Sequence, residues 1–149
     1  MREILFRGKR LQGGDWVEGY FFKSDINKRA RESGKATLIF TPDCDTFITV
    51  PECHNSFMVV SDTVGQYTGL KDKNGKRIFE GDIVAQNWYD YDEPKDDSFG
   101  KVVFCEYDCS FSVIDVNKDG FIPLGRCGSY HWEVEVIGNV TDNHELLEK

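Results

Sequence analysis

Several short segments combine residue types that bind phosphates or metal ions in other proteins. Residues 69–77, GLKDKNGKR, resemble the glycine-rich loop that surrounds the phosphates of a nucleotide. That loop needs four residues between its glycines and a Ser or Thr after the lysine, because the hydroxyl binds magnesium. Here five residues separate Gly69 from Gly75, and Arg77 follows Lys76. The spacing and the missing hydroxyl exclude a phosphate-binding loop of this kind.

Residues 115–126, DVNKDGFIPLGR, have the pattern of a calcium-binding EF-hand loop. Asp115, Asn117 and Asp119 occupy positions that supply calcium ligands in such loops. The twelfth position, however, is Arg126, where a bidentate Glu should supply two oxygens. A cation there repels the metal, and the Asn, Asp and Gly of the segment favour a hairpin turn. We therefore predict a turn without calcium, and calcium binding is the alternative.

The cysteines and one Cys-His pair could supply thiol or zinc chemistry. Cys105 and Cys109 have a spacing used in zinc knuckles, but structural zinc sites need such a pair twice. Cys53 and His54 are adjacent, and neighbouring side chains of an extended segment point to opposite faces. That geometry is unfavourable for a nucleophile and its base. We predict no catalytic residues, no metal ligands and no cofactor. The alternative is a metal- or thiol-dependent enzyme built on Cys105, Cys109, His54 or Asp119.

Charge divides the chain into a basic start and an acidic remainder. The formal net charge is −8, from 18 Lys and Arg against 26 Asp and Glu. Residues 1–35 contain nine basic and five acidic side chains, whereas residues 36–149 contain nine and 21. A nucleic-acid-binding protein needs a strongly basic face, so the charge argues against this class of partner. Binding of nucleic acid through Arg7, Lys9 and Arg10 is an alternative, and mimicry of DNA by a clustered acidic surface is another.

Hydropathy and the N-terminal residues bear on the location of the protein. Mean hydropathy is −0.47, and no apolar run approaches the roughly 18 residues of a membrane helix. The first ten residues, MREILFRGKR, lack the apolar stretch of a signal peptide. Five cysteines without such a leader favour free thiols over a disulfide framework. We expect a cytoplasmic protein that does not enter a membrane.

Short apolar segments separated by turn residues recur about every ten residues and predict an all-β fold. REILFRG and WVEGYFF should form one hairpin, and ATLIF and TFITV a second one. KVVFCEY and SFSVIDV should pair across a tight turn near Asp108. In the segment WEVEVIGNV, Trp132, Val134 and Val136 alternate with acidic residues, as in a strand with one buried face.

An acidic and aromatic segment, residues 87–99, is predicted to form a long exposed loop because it contains Pro94 and many charges. Its side chains Trp88, Tyr89 and Tyr91 are candidates for a partner surface, since aromatic residues are enriched in interfaces. The alternative is that these rings pack back onto the protein.

Residues 63–84, TVGQYTGLKDKNGKRIFEGDIV, resemble the signature of the YopX-like family of phages and prophages. The opening MREILFRGKRLQGGDWVEGY and the ending EVEVIGNVTDNHELLEK resemble the start and the close of the same family. We interpret the signature residues as structural. They are Gly65, Gln66, Tyr67, Gly69, Leu70, Asp72, Gly75, Gly81 and Asp82.

The resemblance implies an all-β fold of short antiparallel strands and hairpins, in which the C-terminal part is an SH3-like small barrel. Residues 1–62 would then be an N-terminal β-hairpin region with a variable loop at about residues 23–36. Residues 63–149 would form the barrel, either as a separate domain or packed with the first region as one. In this fold GLKDKNGKR is a solvated turn at Asn74-Gly75, held by Leu70, Ile78 and Phe79 in the core.

The family resemblance brings no catalytic residues. We therefore expect a phage or prophage accessory protein that acts in the cytoplasm of the bacterial host as a non-catalytic interaction or assembly module. The expected partners are a phage protein, a host protein or a second copy of the chain. Nucleic acid bound by the basic N-terminal hairpin is the alternative.

Overall fold

A computed structural model describes residues 3–24, 45–90, 93–116, 120–125 and 131–148, and only the backbone of residues 88–90, 93–97 and 131. Within these residues the chain forms eleven strands and two short 3-10 helices, Ser61–Thr63 and His144–Leu147. The first six strands are β1 (Phe6–Lys9), β2 (Trp16–Lys23), β3 (Thr46–Val50), β4 (Asn55–Met58), β5 (Gly65–Lys71) and β6 (Arg77–Phe79). The other five are β7 (Asp82–Asp90), β8 (Glu93–Cys105), β9 (Ser110–Asp115), β10 (Phe121–Pro123) and β11 (His131–Asn139).

Two antiparallel sheets account for all of these strands, so the all-β prediction is confirmed. One sheet has the order β4-β3-β2-β1-β5-β6 and the other has the order β10-β9-β8-β7-β11. The SH3-like barrel predicted for residues 63–149 is not confirmed. Closure of a barrel needs pairing between the first and last strands, and β10 and β11 share no ladder in the described residues.

The chain divides into two compact units, Met1–Gln66 and Tyr67–Lys149. Strand β5 contributes to both of them. Its first residues, Gly65 and Gln66, pair with β1, whereas Tyr67 and Lys71 pair with β6.

The first unit begins with the predicted hairpin, which the pairing of β1 with β2 confirms. Strand β3 pairs with β2 and with β4, and its alternate residues Thr46 and Ile48 are buried. Ile48 and Val59 are buried, and both lie against the backbone of Gly8, where a side chain would collide with them. The predicted strand ATLIF lies outside the described residues.

The second unit has its own apolar core. Six buried residues form this cluster, and Leu70, Phe111, Trp132 and Val136 pack against it. The six are Ile78, Val84, Val102, Val113, Leu124 and Val134. The predicted pairing of KVVFCEY with SFSVIDV is confirmed by the ladder between β8 and β9, and the predicted last strand is β11.

The predicted loop at residues 87–99 is wrong. β7 continues to Asp90 and β8 begins at Glu93, and the two strands pair with Tyr89 opposite Pro94. The aromatic residues of the segment favour extended structure and outweighed the signal from charge. Pro94 is tolerated because the register shifts between Trp88 and Tyr89, and proline is accommodated at such irregularities.

Candidate interaction surfaces

Asp72 organises the signature segment that resembled a phosphate-binding loop. Its buried carboxylate accepts hydrogen bonds from the amides of Asn74 and Lys76, both at 2.9 Å, through Oδ1. The other oxygen, Oδ2, accepts a hydrogen bond of 3.2 Å from the amide of Val136 in β11. Gly75 takes a positive φ of 82° and donates its amide hydrogen to the carbonyl of Asp72. The segment is therefore a turn that a single carboxylate fastens to β11.

This turn covers part of the outer edge of β11. The amide of Lys73 donates a 2.9 Å hydrogen bond to the carbonyl of Val134, next to the Asp72 contact. The ammonium group of Lys73 forms an ion pair with Glu135, and the hydrogen bond to Glu135 raises the pKa of Lys73. Uncovered edges of sheets tend to pair with other chains, so the turn limits that tendency at this edge.

The remaining signature residues also contact their own unit. Gly65 and Gln66 lie opposite β1, Tyr67 stacks at a tilt on Phe79 with ring centroids 5.5 Å apart, and Leu70 packs on the core of the second unit. At the bend before β7, the buried carboxylate of Asp82 accepts a 2.8 Å hydrogen bond from the amide of Phe79. Gly69 and Gly81 both have positive φ. Their structural role stays a prediction.

The thiol and imidazole candidates lie in separate turns. Cys53 and His54 lie between β3 and β4, where Cys53 is exposed and His54 has a φ of 55°. Cys105 is buried at the end of β8, whereas Cys109 is exposed in the turn that follows. Among the described residues no group of three or more His, Cys, Asp or Glu side chains is arranged to hold a metal ion. Asn117, Asp119 and Arg126 of the calcium-like loop lie outside the described residues.

The basic residues of the N-terminal hairpin contact acidic and aromatic groups of the same unit. The guanidinium of Arg10 donates hydrogen bonds to both carboxylate oxygens of Asp15, at 3.0 and 3.2 Å, and stacks over the ring of Phe57. The Arg10 contact lowers the pKa of Asp15. Arg7 stacks over the ring of Trp16 at 4.7 Å. These intrachain contacts compete with any phosphate for the same guanidinium groups.

The aromatic residues predicted as a partner surface are placed in or next to β7. Trp88 lies opposite Trp132 of β11, and Tyr89 lies opposite His131. Tyr91 lies outside the described residues. The segment therefore belongs to a hairpin, and its use as a partner surface stays a prediction.

A row of aromatic side chains occupies one face of the first sheet. Tyr20 and Phe22 of β2 are 57% and 41% exposed. Phe22 lies opposite Phe47, and their rings stack with centroids 5.3 Å apart. Because side chains alternate along a strand, Trp16 belongs to the same face as Tyr20 and Phe22. We call Trp16, Tyr20, Phe22 and Phe47, with the cationic side chains beside them, the outer aromatic face.

Charges border the outer aromatic face on its β1 side. Arg7 lies opposite Glu18, and Lys9 lies opposite Trp16, so all three charged side chains belong to this face by register. Two cations and one carboxylate make this border weakly basic. The buried residues Ile48 and Val59 belong to the other face, which forms the core of the first unit.

A second exposed aromatic feature is the turn between β8 and β9, residues 106–109, which we call the Tyr107 turn. The side chain of Tyr107 is 99% exposed. It lies between two acidic residues, Glu106 and Asp108. Behind the turn, Phe104 and Phe111 lie opposite each other, with their rings edge to face at 5.4 Å.

A thiol–carbonyl hydrogen bond and a left-handed residue close the Tyr107 turn. Hydrogen bonding from Cys105 and then from Ser110 lowers the pKa of Asp108. The thiol of Cys109 donates to the carbonyl of Glu106, with Sγ and O 3.6 Å apart. Cys109 has a φ of 52°, which closes the turn in the left-handed region. The turn thus presents Tyr107 to solvent between two carboxylates.

Sequence reasoning missed both surfaces, although a signal for the first was present. In WVEGYFF the residues Trp16, Tyr20 and Phe22 share one period-2 row, and Val17 and Phe21 share the other. Both rows contain aromatic side chains, and Glu18 in the first row was the one charged residue that indicated which row faces solvent. For Tyr107 the position in a predicted tight turn was the available signal.

No helix among the described ranges combines the length and apolar character required to cross a membrane.

Two comparisons relate the chain to known proteins, and a third finds no match. Residues 5–148 match the family model described as YopX protein. Among solved structures, the chain is similar to the crystal structure of protein EF1440 from Enterococcus faecalis. The two share 26% sequence identity over 99% of each chain, with a TM-score of 0.48. No curated protein matches the chain.

Proposed function

The chain belongs to the YopX protein family, and we propose that it is a phage or prophage accessory protein that works as a non-catalytic interaction module. On this proposal it binds a phage or host protein, or a second copy of itself, in the cytoplasm of the bacterial host. It requires no cofactor and no metal ion. An SH3-like arrangement of residues 63–149 is part of the same proposal.

The outer aromatic face is the observation that carries this proposal. The solvent-facing side of an antiparallel sheet is normally polar, whereas here the exposed rings of Tyr20 and Phe22 lie on it, with the half-buried ring of Phe47 stacked on Phe22. Aromatic side chains and arginine are enriched in the cores of protein interfaces, and they contribute much of the binding energy there. A weakly basic border made by Arg7 and Lys9 adds charge selectivity.

Nucleic acid is the second candidate, because the same aromatic rings could stack on bases. Two observations argue against it as the main partner. Arg10 already forms a bidentate ion pair with Asp15, and Glu18 lies on the same face as Arg7. Residues 1–66 contain nine basic and nine acidic side chains, so the unit that carries the face has no net positive charge.

Affinity capture from prophage-induced cells tests the proposal. Tagged protein with the native outer aromatic face should retain a protein partner at near-stoichiometric yield. The double variant Tyr20→Ala/Phe22→Ala should lose at least about 10-fold of that yield, because truncating aromatic anchors removes most of the binding energy. The matched control is Phe121→Ala, which removes an aromatic side chain of similar exposure, 56%, on β10. Mass spectrometry and a nucleic-acid stain on each eluate measure the result.

The alternatives make different predictions for the same samples. An eluate that contains nucleic acid without a protein partner would favour the nucleic-acid function, provided that higher salt removes it. Equal capture by the double variant and by Phe121→Ala would contradict a role for the face. Substrate turnover by purified, metal-free protein would contradict the non-catalytic assignment and favour the thiol enzyme.

A further inference from the structure

We propose that the Tyr107 turn of one copy binds the outer aromatic face of a second copy. This inference rests on the proposed function, because it names a second copy of the chain as a partner of that face. The two surfaces belong to different units of the chain, so the contact is head-to-tail. Each molecule then has one donor surface and one acceptor surface.

The aromatic chemistry of the two surfaces matches. Tyr107 is 99% exposed at the tip of a turn that a thiol–carbonyl hydrogen bond closes, so its whole ring is available to a partner. The acceptor surface offers the half-exposed rings of Tyr20 and Phe22, and Phe47 of the neighbouring strand stacks beside Phe22. Aromatic pairs favour tilted or offset contacts, and a single protruding ring can adopt them against a row of rings.

The charges of the two surfaces also match. Glu106 and Asp108 are the two carboxylates that flank Tyr107, whereas the outer aromatic face carries the two cations Arg7 and Lys9 and the one carboxylate Glu18, a local charge of +1. At the level of the units, residues 1–66 have nine basic and nine acidic side chains, and residues 67–149 have nine and 17. Contact between two copies of the acidic unit is therefore unfavourable, and contact of that unit with the neutral one avoids this repulsion.

The size of the donor surface sets the expected strength. A four-residue turn buries much less than the roughly 1,200 Å² of a standard stable interface, which is typical of weak, reversible contacts. We therefore expect association over concentrations of about 10 µM to about 1 mM. Because donor and acceptor differ, association should continue beyond a dimer unless the ring closes.

Sedimentation velocity of the full chain tests the inference. The weight-average sedimentation coefficient of the wild type should rise with concentration, and it should fall again in high salt because the contact includes opposite charges. Tyr107→Ala should remain monomeric, and so should Tyr20→Ala/Phe22→Ala. Tyr107→Phe should still associate, because it keeps the ring. Phe121→Ala should behave as the wild type.

A mixing experiment separates this contact from a symmetric one. Equimolar Tyr107→Ala and Tyr20→Ala/Phe22→Ala retain one intact donor and one intact acceptor between them. The mixture should form a dimer and stop there. Association of Tyr107→Ala by itself would overturn the inference, since it would show a symmetric face-to-face contact. A mixture that stays monomeric would overturn it as well.

The failure of this inference differs from a failure of the proposed function. A wild type that stays monomeric over the whole range overturns self-association, whereas capture of a different protein by the outer aromatic face would still support the interaction module.

Each variant must have the far-UV circular dichroism spectrum and the urea midpoint of the wild type. If Tyr107→Ala does not meet this condition, the charge-reversal variant Glu106→Lys replaces it and should also remain monomeric.

Discussion

Replacement of Gly100 by alanine should lower the free energy of unfolding by about 3 kcal/mol or more, the upper end for added volume in a packed interior. Gly100 is buried in β8 opposite Asp115 of β9. A Cβ atom there would collide with the backbone carbonyl of Ile114. Side-chain rotation cannot relieve a clash with backbone, so the ladder between β8 and β9 must shift. Urea unfolding followed by tryptophan fluorescence measures the loss.

Gly75→Ala is the matched control for this substitution. Gly75 has a φ of 82°, and a Cβ atom there would meet nothing within 4 Å. Its cost should be about 1 kcal/mol, from the left-handed backbone alone. If Gly100→Ala were as stable as Gly75→Ala, this result would contradict the close approach of β8 and β9 at Gly100.

Asp72→Ala should lower the free energy of unfolding by about 3 kcal/mol, because it leaves the donors of a charged acceptor without their partner. Three amides, those of Asn74, Lys76 and Val136, donate to this one buried carboxylate. The contact with Val136 joins segments 64 residues apart. Its loss should free the turn from β11 as well as destabilise the unit. Chemical denaturation measures the loss of stability, and amide hydrogen exchange at Val136 measures the release of the turn.

Lys73→Ala is the control for the same turn. Its ion pair with Glu135 is about half exposed on both sides, and water and salt screen such pairs, so this substitution should cost much less than the loss of Asp72. Asp72→Asn should fall between the two variants, because an amide oxygen keeps one neutral acceptor. A loss from Asp72→Ala no larger than that from Lys73→Ala would contradict the role of the carboxylate as a fastener.

The stability difference between the wild type and Asp72→Ala depends on pH through the pKa of the Asp72 carboxyl. Burial alone would raise this pKa, but the three amide donors and the nearby Lys76 outweigh burial and lower it below 3.8. A depressed folded-state pKa gives stability that is complete above the unfolded-state pKa and is lost as the pH falls through the folded one. The difference between wild type and Asp72→Ala should thus be constant above about pH 5 and shrink below about pH 4. A difference that grows in acid would contradict this.

Local chemistry in the sequence was sufficient for several elements of the fold. The Asn74-Gly75 pair predicted a turn, because few residues other than glycine accept a positive φ without strain. Trp132, Val134 and Val136 predicted the last strand, because the period of two is a property of neighbouring residues. The separation of a basic start from an acidic remainder was also visible, since charge depends on composition alone.

Only the tertiary structure could decide which face of each strand meets solvent and which residues are brought together. Both rows of WVEGYFF contain aromatic residues, and the pairing of β2 with β1 and β3 leaves Tyr20 and Phe22 outside and buries Ile48 on the other side. Residues 87–99 were predicted to form a loop from their charges and Pro94 alone. In the structure, pairing of β7 with β8 satisfies the backbone hydrogen-bonding groups of both segments. The hydrogen bond from Val136 to Asp72 spans 64 residues. No local pattern encodes such a contact, since it depends on how distant strands pack.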